Sequence, residues 1–415
     1  MIKTNFSKNI KLNLISSFIT SLVYSSTTPF LIILIAKKLS PEITGIIVMF
    51  NIVISFASGI IGGYLADNYQ RKPILFIGQI FYGISLFIIV LHLVGFFESS
   101  IWLIIGYLLC SIIYSLYGPA YDAILLDSTT QENRLRVYQF EYWTFNLSTA
   151  LGITIGGFLF DRFLTILFFF CAGLQIILAI YLNKELVYLN KVTENKNTTI
   201  LKKLISNYAT AARDKRWLIF IIGMALFSAA ELSLQKYTGI RLAEEFQAIT
   251  LFSIDINGVK MLSILQAVNT LMVVFFSFSI ARLVENKSET AVLISGMLLN
   301  VIGYGIIALS NSIYILIPLI VTATIGELAS SPIMSSKKAN LIPKENQASY
   351  LSLSGLSFQG GELFAAFGLT LSGFAGAPVI AGYITGIGVI GTVFTLGSLY
   401  ENKKWSIKVL FNKPN

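Results

Sequence analysis

The chain has 415 residues, of which 55% are hydrophobic and only 12% charged, and its formal net charge is +9. A soluble domain carries roughly 25% charged residues, and so apolar a chain would expose too much hydrophobic surface to water. The hydrophobic fraction also excludes a disordered chain, and a basic nucleic-acid-binding protein would need its positive charge on one folded face. The composition therefore indicates a polytopic membrane protein without a nucleic-acid partner.

Runs of about 20 apolar residues, the length that crosses a lipid bilayer, predict twelve membrane-spanning helices. The runs lie at 13–36, 42–66, 73–95, 100–126, 136–160, 163–186, 217–241, 260–284, 288–309, 312–338, 347–372 and 377–400. The fifth and sixth runs are the least separated, because only Asp161 and Arg162 lie between them. The predicted fold class is an all-α polytopic membrane protein.

The longest polar break falls near the middle of the chain and leaves six predicted spans on each side. We therefore predict two six-helix bundles, at 13–186 and 217–400, joined by a basic cytoplasmic linker at 187–216. The remaining residues are predicted to form cytoplasmic tails at 1–12 and 401–415.

A weak internal repeat at an offset of 213 residues relates the two predicted bundles. It aligns three positions without a gap, namely Pro119 with Pro332, Glu132 with Glu345, and Asn133 with Asn346. Both copies join equivalent spans, the fourth to the fifth and the tenth to the eleventh. The repeat predicts pseudo-symmetric halves, with a proline kink in each copy and a helix cap after it.

The positive charge is distributed unequally over the predicted connections. Of the 30 Lys and Arg residues, 24 lie on the even-numbered connections and the two tails, and 6 lie on the other side. Because cytoplasmic loops retain Lys and Arg, we expect a multi-pass protein of the cell membrane with both termini in the cytoplasm. The two cysteines, Cys110 and Cys171, fall inside apolar runs, which predicts neither a disulfide framework nor a metal site.

The connection after the second span carries a recognisable motif. The segment Gly63-Tyr64-Leu65-Ala66-Asp67-Asn68-Tyr69-Gln70-Arg71-Lys72-Pro73 resembles the loop signature G-x-L-a-D-r-x-G-r-k of the major facilitator superfamily. Gln70 stands where the second glycine is usual, and Asn68 where an arginine is common. The resemblance implies the major facilitator fold, in which two six-helix bundles alternate access to a central site.

A gating latch is predicted at this loop. Gly63 would allow a close helix approach, and Asp67 would face the positive N-terminus of another helix, which in the family is the eleventh. Arg71 would pair with a carboxylate at the end of the fourth span, for which Asp127 is the matching candidate. The alternative is a turn that merely fixes the topology through its charge.

A narrower resemblance rests on the fifth, eighth and tenth spans. The segments that carry it are Val137-Tyr138-Gln139-Phe140-Glu141-Tyr142-Trp143, Val268-Asn269-Thr270 and Ile325-Gly326-Glu327-Leu328. They look like the LmrP-type multidrug/proton antiporters. The resemblance implies that Glu141 and Glu327 serve cationic drug binding and proton coupling. Trp143 could offer its ring face to an organic cation, and Asn269 is a further candidate for the binding site.

Five carboxylates lie within predicted spans, namely Asp122, Glu141, Glu231, Glu327 and Glu362. A charge at membrane depth costs several kcal/mol, so it must pair, face water or bind a proton. A cation that competes with a proton for one carboxylate would give coupled antiport. The alternative for each acid is a hydrogen bond between helices. Lys236 is expected to reach the outer membrane surface.

The leading hypothesis is a proton-coupled antiporter that exports amphipathic or cationic drugs by alternating access. A transporter of a specific metabolite, peptide or lipid precursor remains the alternative. The sequence lacks the H-E-x-x-H, G-x-S-x-G and G-x-x-x-x-G-K-[ST] motifs, which argues against an enzyme or an ATP-driven pump. We expect a monomer in membrane lipid that binds a small-molecule organic cation or amphiphile together with protons. The proton gradient would drive it without a cofactor or metal.

Overall fold

The computed structural model describes residues 6–130, 132–187, 211–251, 253–284, 286–343 and 347–400, and these are almost wholly helical. The helices are α1 Lys8–Lys38, α2 Pro41–Asn68, α3 Arg71–Leu93, α4 Ile101–Ser128, α5 Arg134–Glu185, α6 Lys215–Leu232, α7 Gly239–Glu245, α8 Gly258–Val284, α9 Glu289–Ile307, α10 Ile313–Leu341, α11 Gln347–Ser372 and α12 Ala377–Tyr400. Within the described residues, ten helical stretches are long and apolar enough to cross a membrane. The predicted all-α polytopic fold is confirmed.

Ten stretches accommodate the twelve predicted spans for two reasons. The helix α5 has 52 residues and is interrupted at Phe163, whose backbone is not helical. Its length of about 78 Å is more than twice the thickness of the bilayer core, so it holds both the fifth and the sixth predicted span. The helix α11 is the eleventh predicted span, and it is absent from the ten because Gln359, Glu362 and several serines dilute its apolar residues.

The seventh predicted span departs from a regular α-helix. Between α6 and α7 lies one π-helical turn, Leu234–Thr238, in which the backbone N–H of Thr238 donates to the carbonyl of Ser233 at 3.0 Å. Asp214 caps the N-terminus of α6, and its side chain accepts from the N–H groups of Arg216 and Trp217. Such wider turns inside α-helices are frequent at functional sites.

A short hairpin follows α7 and was not predicted from the sequence. The strands β1 Ile249–Leu251 and β2 Ile254–Ile256 pair antiparallel. Ser253 lies in the turn with a positive φ of 64°. The strands are three residues long each, which is too short for an alternating pattern to be distinguished from a polar loop.

The chain divides into two compact units, one comprising Met1–Leu39 and Phe50–Lys196 and the other comprising Ser40–Met49 and Asn197–Asn415. In the first unit, α5 packs against α1 and α3, and α3 packs against α4. In the second, α6 packs against α11 and α12, and α10 packs against α8 and α9.

The predicted domain boundaries stay a prediction. Most of the linker 187–216 lies outside the described residues, as do residues 1–5 of the N-terminal tail and the whole tail 401–415.

The prolines of the internal repeat lie inside helices, Pro119 within α4 and Pro332 within α10. The Asn133 side chain does not cap α5, because it accepts from the N–H of Thr130, which precedes the helix, at 2.8 Å. Its counterpart in the second copy, Asn346, lies outside the described residues, as does Glu345.

Candidate functional site

Two of the predicted membrane acids lie together in the second unit. Glu231 projects from α6 and Glu327 from α10, and their carboxylates are close enough for their charges to interact. Tyr304 of α9 is buried beside both of them. Both glutamates are only partly buried. The structure thus joins two carboxylates that stand 96 positions apart in the sequence.

Asn269 of α8 connects this pair to its surroundings. Its side-chain amide donates to Glu327 Oε2 at 3.2 Å, to Thr324 Oγ1 at 3.0 Å and to Tyr304 Oη at 3.4 Å. The amide has two hydrogens for three acceptors, so one hydrogen is shared. Because the acceptors come from α9 and α10, Asn269 holds three helices in register around Glu327.

The packing of α9 on α10 fixes the position of Glu327. A β-carbon built at Gly326 would overlap the backbone carbonyl of Gly296, and one built at Gly296 would collide with Gly326 in return. Only glycine at both positions lets the backbones approach this closely. Ser330 Oγ donates to the carbonyl of Gly326 at 2.8 Å, which stabilises the same turn of α10.

The negative charges of Glu231 and Glu327 restrict the protonation states that this acid pair can adopt. Two carboxylates whose charges interact at membrane depth repel each other when both are ionised, and a proton or a cation bound there relieves this repulsion. We refer to Glu231, Glu327, Asn269, Tyr304 and Thr324 as the acid-pair site. Its chemistry suits the exchange of a proton for a positively charged group.

The structure corrects one expectation about Lys236. This side chain was expected to reach the membrane surface, but only 4% of it is exposed, and its ammonium forms an ion pair with Glu362. The expectation was wrong because Glu362 of α11 supplies a counter-charge inside the unit, so the ammonium does not need to reach water. Glu362, predicted as a proton or substrate carboxylate, is therefore neutralised by a residue of its own unit.

Arg241 is a second buried cation that the sequence analysis assigned no role. Only 3% of its side chain is exposed, and its guanidinium donates to the carbonyls of Ser310 at 2.6 Å and Ile307 at 3.2 Å and to Asn311 Oδ1 at 2.7 Å. It thereby satisfies the free carbonyls where α9 ends. The Arg241 side chain therefore acts as a structural cap of α9. No local sequence pattern predicts this role.

In the first unit, Glu141 of α5 lies near Asp122 and Tyr121 of α4. The Tyr121 hydroxyl donates to the carbonyl of Asn13 at 2.7 Å, which connects α4 to α1. Trp143 is 47% exposed and lies two positions beyond Glu141, about 200° around the helix axis. Glu141 and Trp143 therefore do not share one face of α5.

The predicted latch is formed in part. Arg71 donates to Asp127 Oδ2 at 2.6 Å and to the carbonyl of Ala66 at 2.9 Å. A β-carbon at Gly63 would meet no neighbouring atom, whereas one at Gly62 would overlap the backbone of Leu116. The close approach predicted for Gly63 is therefore made at Gly62. The side chain of Asp67 lies outside the described residues.

Both cysteines, Cys110 and Cys171, are free and buried. In the part of the chain that the structure describes, no group of three His, Cys, Asp or Glu side chains is placed to hold a metal ion.

Relatives of the chain are found over nearly its whole length. The family model described as Major Facilitator Superfamily matches residues 14–256. A "Na(+), Li(+), K(+)/H(+) antiporter" of Planococcus maritimus is 22% identical over 386 residues, which cover 90% of this chain and 91% of that protein. An "Uncharacterized MFS-type transporter YqjV" of Bacillus subtilis (strain 168) is 23% identical over 392 residues, which cover 92% and 90% respectively.

Solved transporter structures share the fold. A POT family transporter in complex with 5-aminolevulinic acid superposes with a TM-score of 0.71 at 17% identity, covering 95% of this chain and 96% of that one. The nucleoside transporter NupG superposes with a TM-score of 0.69 at 14% identity, covering 96% and 100% respectively. At these identities the likeness concerns the fold alone.

Proposed function

Because this chain belongs to the Major Facilitator Superfamily and is a multi-pass membrane transporter, we propose that it is a proton-coupled antiporter that exports cationic or amphipathic drugs. The acid-pair site is the observation that carries the proposal. Export proceeds by alternating access at the cell membrane, with both termini in the cytoplasm. A monomer carries it out, driven by the proton gradient without a cofactor.

Proton and substrate transport are coupled because the proton and the cation compete for the same acid-pair site. A proton bound by Glu231 or Glu327 reduces the negative charge of the pair, and a cation that arrives from the inside replaces that proton. Asn269 stabilises the ionised form of Glu327 through a charge-assisted hydrogen bond. Because both ligands need the same carboxylates, they cannot be carried in the same direction at once, and exchange results. Glu141 is proposed as a second acid that attracts the substrate in the first unit.

A second candidate substrate is an inorganic monovalent cation. Oxygen atoms surround Asn269, since Thr324, Tyr304 and Glu327 all present oxygen to its amide, and hard cations prefer oxygen ligands. The relative named as a "Na(+), Li(+), K(+)/H(+) antiporter" supports this candidate. A substrate with a carboxylate, such as the 5-aminolevulinic acid bound to the POT family transporter, receives less support. Lys236, a buried cation that could bind such a carboxylate, is already paired with Glu362.

The experiment that tests the proposal uses purified protein in proteoliposomes with an imposed pH gradient. Uptake of tetraphenylphosphonium and of Na⁺ is measured with and without the gradient, for the wild type, Glu327→Gln and the control Glu98→Gln. Glu98 is exposed outside the membrane helices, so its variant should behave as the wild type.

We expect gradient-driven tetraphenylphosphonium uptake that Glu327→Gln abolishes. If the gradient drives uptake of Na⁺ but not of tetraphenylphosphonium, the proposed substrate becomes an inorganic cation instead of an organic one. Absence of gradient-driven uptake of either cation, or full activity in Glu327→Gln, would contradict the proposed coupling.

A further inference from the structure

The ion pair of Lys236 and Glu362 lies in the interior of the second unit. The Lys236 side chain is 4% exposed and the Glu362 side chain 20% exposed. A lone ammonium or carboxylate at membrane depth costs several kcal/mol, so each of these groups needs the other. Because the Glu362 carboxylate is the more exposed partner, it forms the accessible side of the pair and Lys236 lies behind it.

Two features of the backbone hold this pair near the acid-pair site. Lys236 follows Glu231 by five residues, about 7.5 Å along the helix axis, and lies in the π-helical turn. The helix α11 packs tightly on α6, since a β-carbon at Gly361 would overlap Ser228 Oγ. Glu362, the next residue, is thereby placed against the same helix that carries Glu231.

The ion pair and the acid-pair site together carry an excess of negative charge. Glu231, Glu327 and Glu362 carry three negative charges when ionised, and Lys236 carries one positive charge. Arg241, the other cation that is buried in the described residues, forms an ion pair with Glu245 at 3.4 Å, so this second pair adds no net charge. The group therefore presents a net charge of two negative units to a substrate, and it would present three without Lys236.

We propose that Lys236 is a specificity-determining positioning residue: it withdraws Glu362 from substrate binding and thereby selects monovalent over divalent organic cations. The inference rests on the proposed function, because it names the charge class of the substrate. By Coulomb's law, a unit charge that lies about 10 Å from a bound cation changes its affinity by roughly tenfold per positive charge on the ligand, at an effective dielectric constant near 20. A dication therefore gains more than a monocation when Lys236 is removed.

The test compares two matched ligands, hexyltrimethylammonium and hexamethonium, which carry one and two quaternary ammonium groups. Their dissociation constants are measured on the purified full chain in nanodiscs without any gradient. The variants are Lys236→Met, Glu362→Gln and the double variant, which set the summed charge to three, one and two negative units. Lys236→Gln is a second neutral variant that can still donate a hydrogen bond to Glu362 if Lys236→Met does not fold.

The expected ratio of the two affinities follows the summed charge of each variant. Affinity for hexamethonium relative to hexyltrimethylammonium rises roughly tenfold in Lys236→Met and Lys236→Gln, falls roughly tenfold in Glu362→Gln, and returns to the wild-type ratio in the double variant. A purely structural bond would alter stability in the single variants but leave the ratio within about twofold of the wild type.

Two outcomes overturn the inference. One is a ratio that does not change in any folded variant, and the other is a double variant that keeps the gain of Lys236→Met. Failure of the proposed function is a separate result, since it appears as absent proton-driven cation uptake by the wild type in proteoliposomes, while the binding ratio is measured without a gradient.

Discussion

Replacement of Asn269 by alanine removes the amide that donates to Glu327, Thr324 and Tyr304. A hydrogen bond to a charged group contributes about 1.5–3 kcal/mol, and the two bonds to neutral hydroxyls contribute about 1 kcal/mol each to folding. The bond to the ionised Glu327 carboxylate matters for cation binding, because a cation binds that form. We therefore expect Asn269→Ala to weaken binding of tetraphenylphosphonium by about tenfold to a hundredfold at neutral pH.

The assay is equilibrium binding of radiolabelled tetraphenylphosphonium to purified protein in nanodiscs. Asn146→Ala is the matched control, since the Asn146 amide donates within its own helix, to the carbonyl of Tyr142 at 2.8 Å. The control should bind within twofold of the wild type. An Asn269→Ala variant that melts like the wild type and binds the cation with unchanged affinity would refute the reasoning, because Glu327 would then not be a ligand for the cation.

Three further predictions concern structure and gating. Arg241→Met should cost about 2–4 kcal/mol of stability and lower the melting temperature in detergent, because the carbonyls at the end of α9 lose their donor; equal melting of Arg241→Met and the exposed control Arg162→Met would exclude this. Gly326→Val should reduce both stability and cation binding, since its side chain would collide with α9, and normal binding would contradict the packing. Exchanging Arg71 and Asp127 should restore a transport rate that Arg71→Asp alone reduces, and a double variant no faster than the single one would argue against the pair.

The helices were predictable because the bilayer fixes the length of an apolar run. Even the weakest point of the sequence prediction, the break between the fifth and sixth spans at Asp161 and Arg162, lies next to the non-helical Phe163 in the structure. The pairing of Arg71 with Asp127 was also predicted, and it came from the loop motif rather than from periodicity. Apolar run length therefore accounts for the membrane-spanning helices, and the loop motif accounts for one ion pair.

The sequence could not show which acids meet. Glu231 and Glu327 were recognised one by one, but their proximity depends on how α6 and α10 pack, and helical periodicity gives only the face within each helix. Lys236 was wrongly expected at the membrane surface, because its ion pair with Glu362 joins two helices that are far apart in the sequence. The β1–β2 hairpin was missed because strands of three residues are too short to show a recognisable alternation of apolar and polar residues.

The measurement that tests the central claim most directly is the pH dependence of cation binding. The claim is that proton and cation compete for Glu231 and Glu327. The dissociation constant of tetraphenylphosphonium should therefore rise by up to about tenfold for each unit of falling pH in the range where the pair takes up a proton. This dependence should disappear in the double variant Glu231→Gln, Glu327→Gln. A dissociation constant that is independent of pH in the wild type, or an undiminished pH dependence in the double variant, would contradict the account.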